Sequence, residues 1–98
     1  MMMFEVKMPK IGLTMEEGMI AKWYVKEGER IKKGEPFFEI ITEKISFVVE
    51  ATVSGLVVKI NFYEEDVVKV GEVIAIVEVE GAELFVDNER EGERVQET

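Results

Sequence analysis

Apolar and polar side chains alternate with a period of two along much of this chain. Leu56, Val58, Ile60 and Phe62 interleave with Val57, Lys59, Asn61 and Tyr63, which predicts a half-buried strand and not a helix. The pattern recurs. A shift of 37 residues lays Met19, Ala21, Trp23 and Val25 on the first set, and Ile20, Lys22, Tyr24 and Lys26 on the second. In the same register Pro36, Phe38, Ile40 and Thr42 meet Val73, Ala75, Val77 and Val79. Six identities accompany the pattern between Gly18 and Ile40: Gly18/Gly55, Lys22/Lys59, Glu27/Glu64, Lys32/Lys69, Gly34/Gly71 and Glu35/Glu72.

Turn signals separate the apolar stretches at Lys26-Glu27-Gly28-Glu29, Lys32-Lys33-Gly34, Val53-Ser54-Gly55 and Lys69-Val70-Gly71. Short strands at close spacing, broken by glycine turns, predict an all-β domain. The expected architecture is a flattened barrel or sandwich of two four-stranded antiparallel sheets. The repeat implies an internal pseudo-two-fold axis relating two similar halves, each giving about four strands. Pro36 falls at the first position of its strand, where a missing N–H is tolerated.

Composition narrows the chemistry. The 98 residues hold 12 Lys plus Arg against 21 Asp plus Glu, a net charge of −9. A polyanion would be repelled, so nucleic acid is not an expected partner. Cysteine and histidine are both absent. That removes disulfides, thiol nucleophiles, Ser-His catalysis and His-ligated zinc. No apolar run approaches the roughly 20 residues needed to span a bilayer, so a soluble, cytoplasmic protein with no membrane partner is expected. Residues 82–98 carry net −4 and residues 1–81 net −5. The stretch from Asp87 to Thr98 lacks apolar periodicity. Residues 1–81 therefore read as one domain, and 82–98 as an acidic, mostly disordered tail or the start of a linker. Leu84, Phe85 and Val86 can pin the beginning of that tail to the body.

One residue occupies a special place. Strands are predicted near Phe37–Thr42 and Ile45–Glu50, with only Glu43 and Lys44 between them, the length of a two-residue hairpin connection. Neither residue is a strong turn former, so something other than turn propensity selects them. Lys44 would project from the tip into water, although a lysine in an exposed turn is ordinarily a solvated charge. The repeat maps Lys44 onto Gly81 and onto Lys7, where the chain leaves and enters. The termini are therefore expected at the opposite end from Lys44. Ile40, Phe47 and Val49 are the candidates for packing beneath the hairpin.

Residues 4–80 resemble a lipoyl domain of the dihydrolipoyl acyltransferase (E2) components of 2-oxo acid dehydrogenase complexes. The run Met8-Pro-Lys-Ile-Gly-Leu-Thr-Met-Glu-Glu-Gly18 resembles the family's opening. Ile20-Ala-Lys-Trp23, Lys26-Glu-Gly28 and Lys33-Gly34-Glu35 follow in the family's order. Thr42-Glu43-Lys44-Ile45 stands where the family has its modification turn, and Ser54-Gly55 and Val70-Gly71 match later turns. The resemblance implies lipoate attached covalently to Lys44, with Glu43 and Ile45 replacing the usual Asp and Ala. The resulting swinging arm would carry acyl groups and electrons, and the cofactor would supply all the redox chemistry. It also implies a non-catalytic carrier, monomeric when isolated. Its partners would be a lipoate protein ligase, the 2-oxo acid decarboxylase (E1), the acyltransferase core (E2) and dihydrolipoyl dehydrogenase (E3). The loop from Lys10 to Glu17 would lie beside the hairpin and meet the decarboxylase through Leu13 and Thr14, with Glu16 and Glu17 adding charge complementarity. Packing of Leu13 and Met15 against the sheet edge is the competing reading of that loop.

Other classes fit less well. A biotinyl carrier domain shares the fold but normally has Met on both sides of its lysine, where this chain has Glu43 and Ile45. An unmodified interaction domain of the same fold is a further alternative. Glu64-Glu65-Asp66 could ligate calcium, but the spacing of a calcium loop is missing, so no metal site is assigned. A free-standing enzyme would have only carboxylates as acid and base, and Glu16/Glu17 and Glu64/Glu65 are sequence neighbours, not opposed pairs.

Overall fold

The structure, a computed structural model, describes residues 2–79; the expected boundary at 81/82 and the acidic tail lie outside the described residues. Eight strands run in order: β1 (Met2–Lys7), β2 (Glu17–Trp23), β3 (Arg30–Ile31), β4 (Pro36–Ile41), β5 (Ser46–Glu50), β6 (Gly55–Ile60), β7 (Val67–Lys69) and β8 (Val73–Val79). No helix occurs among the described residues. Two four-stranded antiparallel sheets form, ordered β1-β8-β6-β3 and β5-β4-β2-β7, as the alternation and the repeat predict.

The two sheets are copies of one another. The 37-residue shift carries β2, β3 and β4 onto β6, β7 and β8. Each half lends its shortest strand to the other's sheet, since β3 pairs with β6 and β7 with β2. Halves interlocked in this way cannot fold separately. The remaining pair, β1 and β5, obeys a different shift. Phe4 lies opposite Val77 and Val6 opposite Ala75, while Phe47 lies opposite Ile40 and Val49 opposite Phe38. In β1 the chain thus supplies from its beginning the strand that the first half supplies from its hairpin.

Hydrogen bonds between the halves are duplicated too, which explains one identity in the repeat. Glu64 Oε2 accepts from the Trp23 N–H at 3.1 Å, and Glu27 Oε2 accepts from the Ile60 N–H at 2.8 Å. Each glutamate satisfies a backbone donor at the end of a strand in the opposite half, a role that neither sequence position shows alone. Asp66 Oδ2 accepts from the Tyr63 N–H at 2.7 Å, as Glu29 Oε1 does from Lys26 N–H at 2.9 Å. Two carboxylates of the Glu64-Glu65-Asp66 run are therefore engaged with backbone.

The alternation is corrected at one point in each half. Register shifts fall between Ile20 and Lys22 and between Val57 and Lys59, so Ala21 and Val58 are bulged residues. A one-residue bulge exchanges the faces of everything beyond it. Ile20 and Val57 are fully buried before the bulge, while Trp23, Val25, Ile60 and Phe62 turn inward after it. Leu56, Val58, Ile60 and Phe62 therefore do not share one face. Similar shifts beside Phe37 and Ile74 let the consecutive pairs Phe37-Phe38 and Ile74-Ala75 both point into the core.

The core between the sheets comprises Met8, Ile20, Ile31, Phe37, Phe38, Ile40, Ala51, Val57, Val68, Ile74, Ala75, Val77 and Val79, and no polar side chain is buried with them among the described residues. Trp23 closes one end. Its ring lies 5.9 Å from Phe37 and 5.2 Å from Phe38, and its Nε1–H donates to the Phe62 carbonyl at 3.0 Å, which lets a large ring be half-buried with its one polar atom satisfied.

Candidate functional site

The hairpin joining β4 to β5 is built by a side chain. Thr42 N–H donates to the Ile45 carbonyl at 2.8 Å, closing the turn. Thr42 Oγ1 accepts from the N–H groups of Lys44 at 3.2 Å and of Ile45 at 3.1 Å. The hydroxyl thus replaces the backbone carbonyl as acceptor, an ST-turn arrangement. Neither Glu43 nor Lys44 adopts positive φ, which resolves why this tip needs no Asn-Gly or Asp-Gly. Threonine three positions before Ile45 was the available signal.

Lys44 is exposed, as are Glu43 and Ile45. Its ammonium makes no ion pair or hydrogen bond with the described residues. Beneath it Ile40 is fully buried and Val49 packs on the core. Phe47, the third expected support, is instead 43% exposed. It sits opposite Ile40 on β5, the edge strand of its sheet among the described residues.

An open cleft of about 610 Å³ runs beside the lysine. Thr14, Glu16 and Glu17 line one side and Glu43, Lys44 and Ile45 the other. Met19, Ile41 and Val67 also line it, three apolar positions on adjacent strands that the strand pattern gave no reason to single out. Met15 is half-buried on the core, and its Sδ accepts from the Ile11 N–H at 3.2 Å. Leu13 is 95% exposed and does not line the cleft. Packing is thus the correct reading for Met15 and not for Leu13.

The first and last described residues, Met2 and Val79, lie away from this site. β1 and β8 meet at Met2 and Val79. From there β1 runs to Met8, whose Sδ approaches Gly18, itself beside the Ile41 carbonyl that leads into the hairpin. The length of β1, roughly 20 Å for six residues, separates the terminal pair from Met8.

This geometry is shared with known proteins. The model of the biotin/lipoyl family, described as "Biotin-requiring enzyme", matches residues 4–77. The chain belongs to the biotin/lipoyl family. Within it the similarity is to lipoyl domains. The solution structure of the lipoyl domain of the 2-oxoglutarate dehydrogenase complex from Azotobacter vinelandii superposes with a TM-score of 0.65 at 30% identity, over 78% of this chain and 98% of that one. The dihydrolipoyllysine-residue acetyltransferase component of the pyruvate dehydrogenase complex from Rhizobium meliloti is 42% identical over 84 residues, 85% of this chain and 19% of that protein. The lipoamide acyltransferase component of the branched-chain alpha-keto acid dehydrogenase complex from Bacillus subtilis is 33% identical over 78 residues, 80% of this chain and 18% of that protein. This lipoyl domain thus spans about a fifth of the length of those two acyltransferases. They belong to complexes acting on different 2-oxo acids, so what they share with this chain is the carrier domain.

Proposed function

We propose that Lys44 is the attachment point for lipoate and that the domain carries acyl groups and electrons as a non-catalytic part of a 2-oxo acid dehydrogenase system. The observation that carries this reading is the exposed Lys44 amine, without a partner among the described residues, on a hairpin held by Thr42 Oγ1. An amine that no described residue engages suits amide formation, and a turn fixed by its own hydroxyl presents it in one place to a modifying enzyme. Bound lipoate would supply a disulfide for acyl and electron transfer that no side chain of this cysteine-free chain can provide. The residues here position the arm. The core beneath Ile40 holds the hairpin in place, and the acidic rim of Glu16, Glu17 and Glu43 favours encounter with basic partner surfaces.

The partners in this reading are a lipoate protein ligase, a 2-oxo acid decarboxylase, an acyltransferase core and dihydrolipoyl dehydrogenase, met by a monomeric domain in the cytoplasm. Lipoate is preferred to biotin because Glu43 and Ile45 flank the lysine where biotinyl domains carry methionines. Intact mass after treatment with lipoate, ATP and a lipoate protein ligase tests it. The gain of one lipoyl group, lost in Lys44→Ala, is expected. Modification of Lys44→Ala, or of the native chain by a biotin ligase instead, would overturn the assignment.

A further inference from the structure

The repeat supplies an internal control for the floor of the cleft beside Lys44. Met19 pairs with Ile41 on one side and with Val67 on the other, across β4, β2 and β7. The 37-residue shift relates these three to Glu78, Leu56 and Arg30. The ladder there is the same, since Leu56 pairs with Glu78 on one side and with Arg30 on the other, across β8, β6 and β3. In both halves the next residue inward along each strand is buried: Ile20, Ile40 and Val68 in one, Val57, Val77 and Ile31 in the other. Alternation therefore turns all six outward. The fold accepts an acid and a base at the two flanking positions, as the second half shows. At the Lys44 end it instead leaves Ile41 38% and Val67 59% exposed. Adjoining apolar surface that the fold does not require marks a place that something covers.

We propose that Met19, Ile41 and Val67 form a resting site for the dithiolane ring of the arm on Lys44, an inference that rests on the function proposed above. Position selects this occupant. Lys44 itself lines the cleft, so a ring tethered to it meets the floor at the high effective concentration of an intramolecular ligand. Size agrees: the cleft measures about 610 Å³, and small-molecule sites run from roughly 300 to 1,000 Å³. Charge agrees too. An unmodified ammonium has to stay in water, whereas amide formation leaves a neutral arm that can turn inward. A neutral ring on the floor leaves the exposed rim carboxylates Glu16, Glu17 and Glu43 solvated. At the centre of the floor stands Met19, whose flexible, polarisable thioether adapts to an irregular apolar shape; the second half has the stiffer Leu56 there.

Methyl NMR of the full chain tests the contact without an enzyme assay, once intact mass shows one lipoyl group per chain. Lipoylation is expected to shift the methyl signals of Met19, Ile41 and Val67, and to give nuclear Overhauser contacts from the ring protons to Met19 Cε. The second half supplies the variants. Ile41→Glu with Val67→Arg installs the residue types that the fold already carries at the equivalent ladder positions, so this double variant should fold and lose the ring contacts. Val67→Arg alone, on β7 and farthest in the sheet order from the hairpin, should weaken them while leaving the lysine's own turn untouched. Shifts confined to residues 43–45 in the lipoylated native chain would overturn the proposal. So would ring contacts that persist undiminished in Val67→Arg. Floor methyls that move only when a 2-oxo acid decarboxylase is added would make the floor a partner's docking surface and overturn it as well. Absence of the mass gain would overturn the proposed function and this inference together; the mass gain without ring contacts overturns this inference alone.

Discussion

Glu65 holds the left-handed backbone conformation, φ 79°, that Gly28 holds at φ 91° in the equivalent turn 37 residues earlier. Both amides are used in the same way, donating across the domain from Glu65 to the Ile20 carbonyl at 2.6 Å and from Gly28 to the Val57 carbonyl at 2.7 Å. The conformation is imposed by the cross-connection and not by residue preference. A non-glycine residue there costs about 1–2 kcal/mol, offset in part by the entropy that glycine would lose on folding. Glu65→Gly should therefore stabilise the domain by roughly 0.5–1 kcal/mol, and Gly28→Ala should destabilise it by about 1 kcal/mol. Urea unfolding midpoints moving in opposite directions, at constant slope, are the expected result.

Gly18 and Gly55 are identical in the repeat and differ in what surrounds them. A Cβ at Gly55 would run into the Glu78 carbonyl oxygen and come within 2.9 Å of Val77 Cγ1, on the neighbouring strand β8. At Gly18 the nearest atoms are the flexible ends of Met15, at 3.0 Å, and Met8, at 3.6 Å. Gly55→Ala must push β6 away from β8 and should cost about 3 kcal/mol or more, the upper end for overpacking. Gly18→Ala should cost under about 1 kcal/mol, because a methionine end can swing aside. Thermal unfolding of the two variants side by side separates these outcomes.

Thr42 is the residue that makes the hairpin. Thr42→Val keeps the shape and removes the acceptor for two amides. Those amides are exposed and can turn to water, so global stability should fall by only about 1 kcal/mol. The tip itself should loosen, with faster hydrogen exchange at Lys44 and Ile45 than at β4. Under the proposed function, modification by lipoate protein ligase slows in this variant and Thr42→Ser restores it. An unchanged rate would show that the ligase does not read the turn.

These positions show how much the sequence discloses. The period-two pattern and the repeat were enough for two like sheets, because inward and outward residues must alternate wherever one face is buried. The bulges at Ala21 and Val58 were not legible, since nothing about an alanine or a valine marks an extra residue in a ladder; the register with β4 and β8 does. The exposed position of Lys44 on the β4–β5 hairpin was legible from spacing. The cleft was not. Met19, Ile41 and Val67 come from three strands, and only their lateral order in the sheet, β4-β2-β7, brings them side by side. Phe47, expected beneath the hairpin, is exposed for a related reason: among the described strands β5 lies at the edge of its sheet.

Leu13 and Met15, two residues apart in the same loop, should separate stability from recognition. Met15 packs on the core and lines the cleft, and its sulfur accepts from the Ile11 amide. Met15→Ala removes half-buried apolar volume and that contact, so a loss of about 1–3 kcal/mol is expected, at or below the lower end for truncating a fully buried methionine. Leu13 is almost wholly in water, and truncating it removes no folded-state contact, so Leu13→Ala should leave unfolding within about 0.5 kcal/mol of the native chain. A leucine held in solvent beside an acidic cleft carries a desolvation gain that is realised only when something covers it, about 1.5–3 kcal/mol for complete burial. If Leu13 contacts the decarboxylase, Leu13→Ala weakens acyl transfer to the lipoylated domain by about tenfold or more, the factor for 1.4 kcal/mol, with no change in melting temperature. Steady-state assay of the decarboxylase with native and variant domains reads that loss directly, and equal kcat/KM for the two would remove Leu13 from the recognition surface.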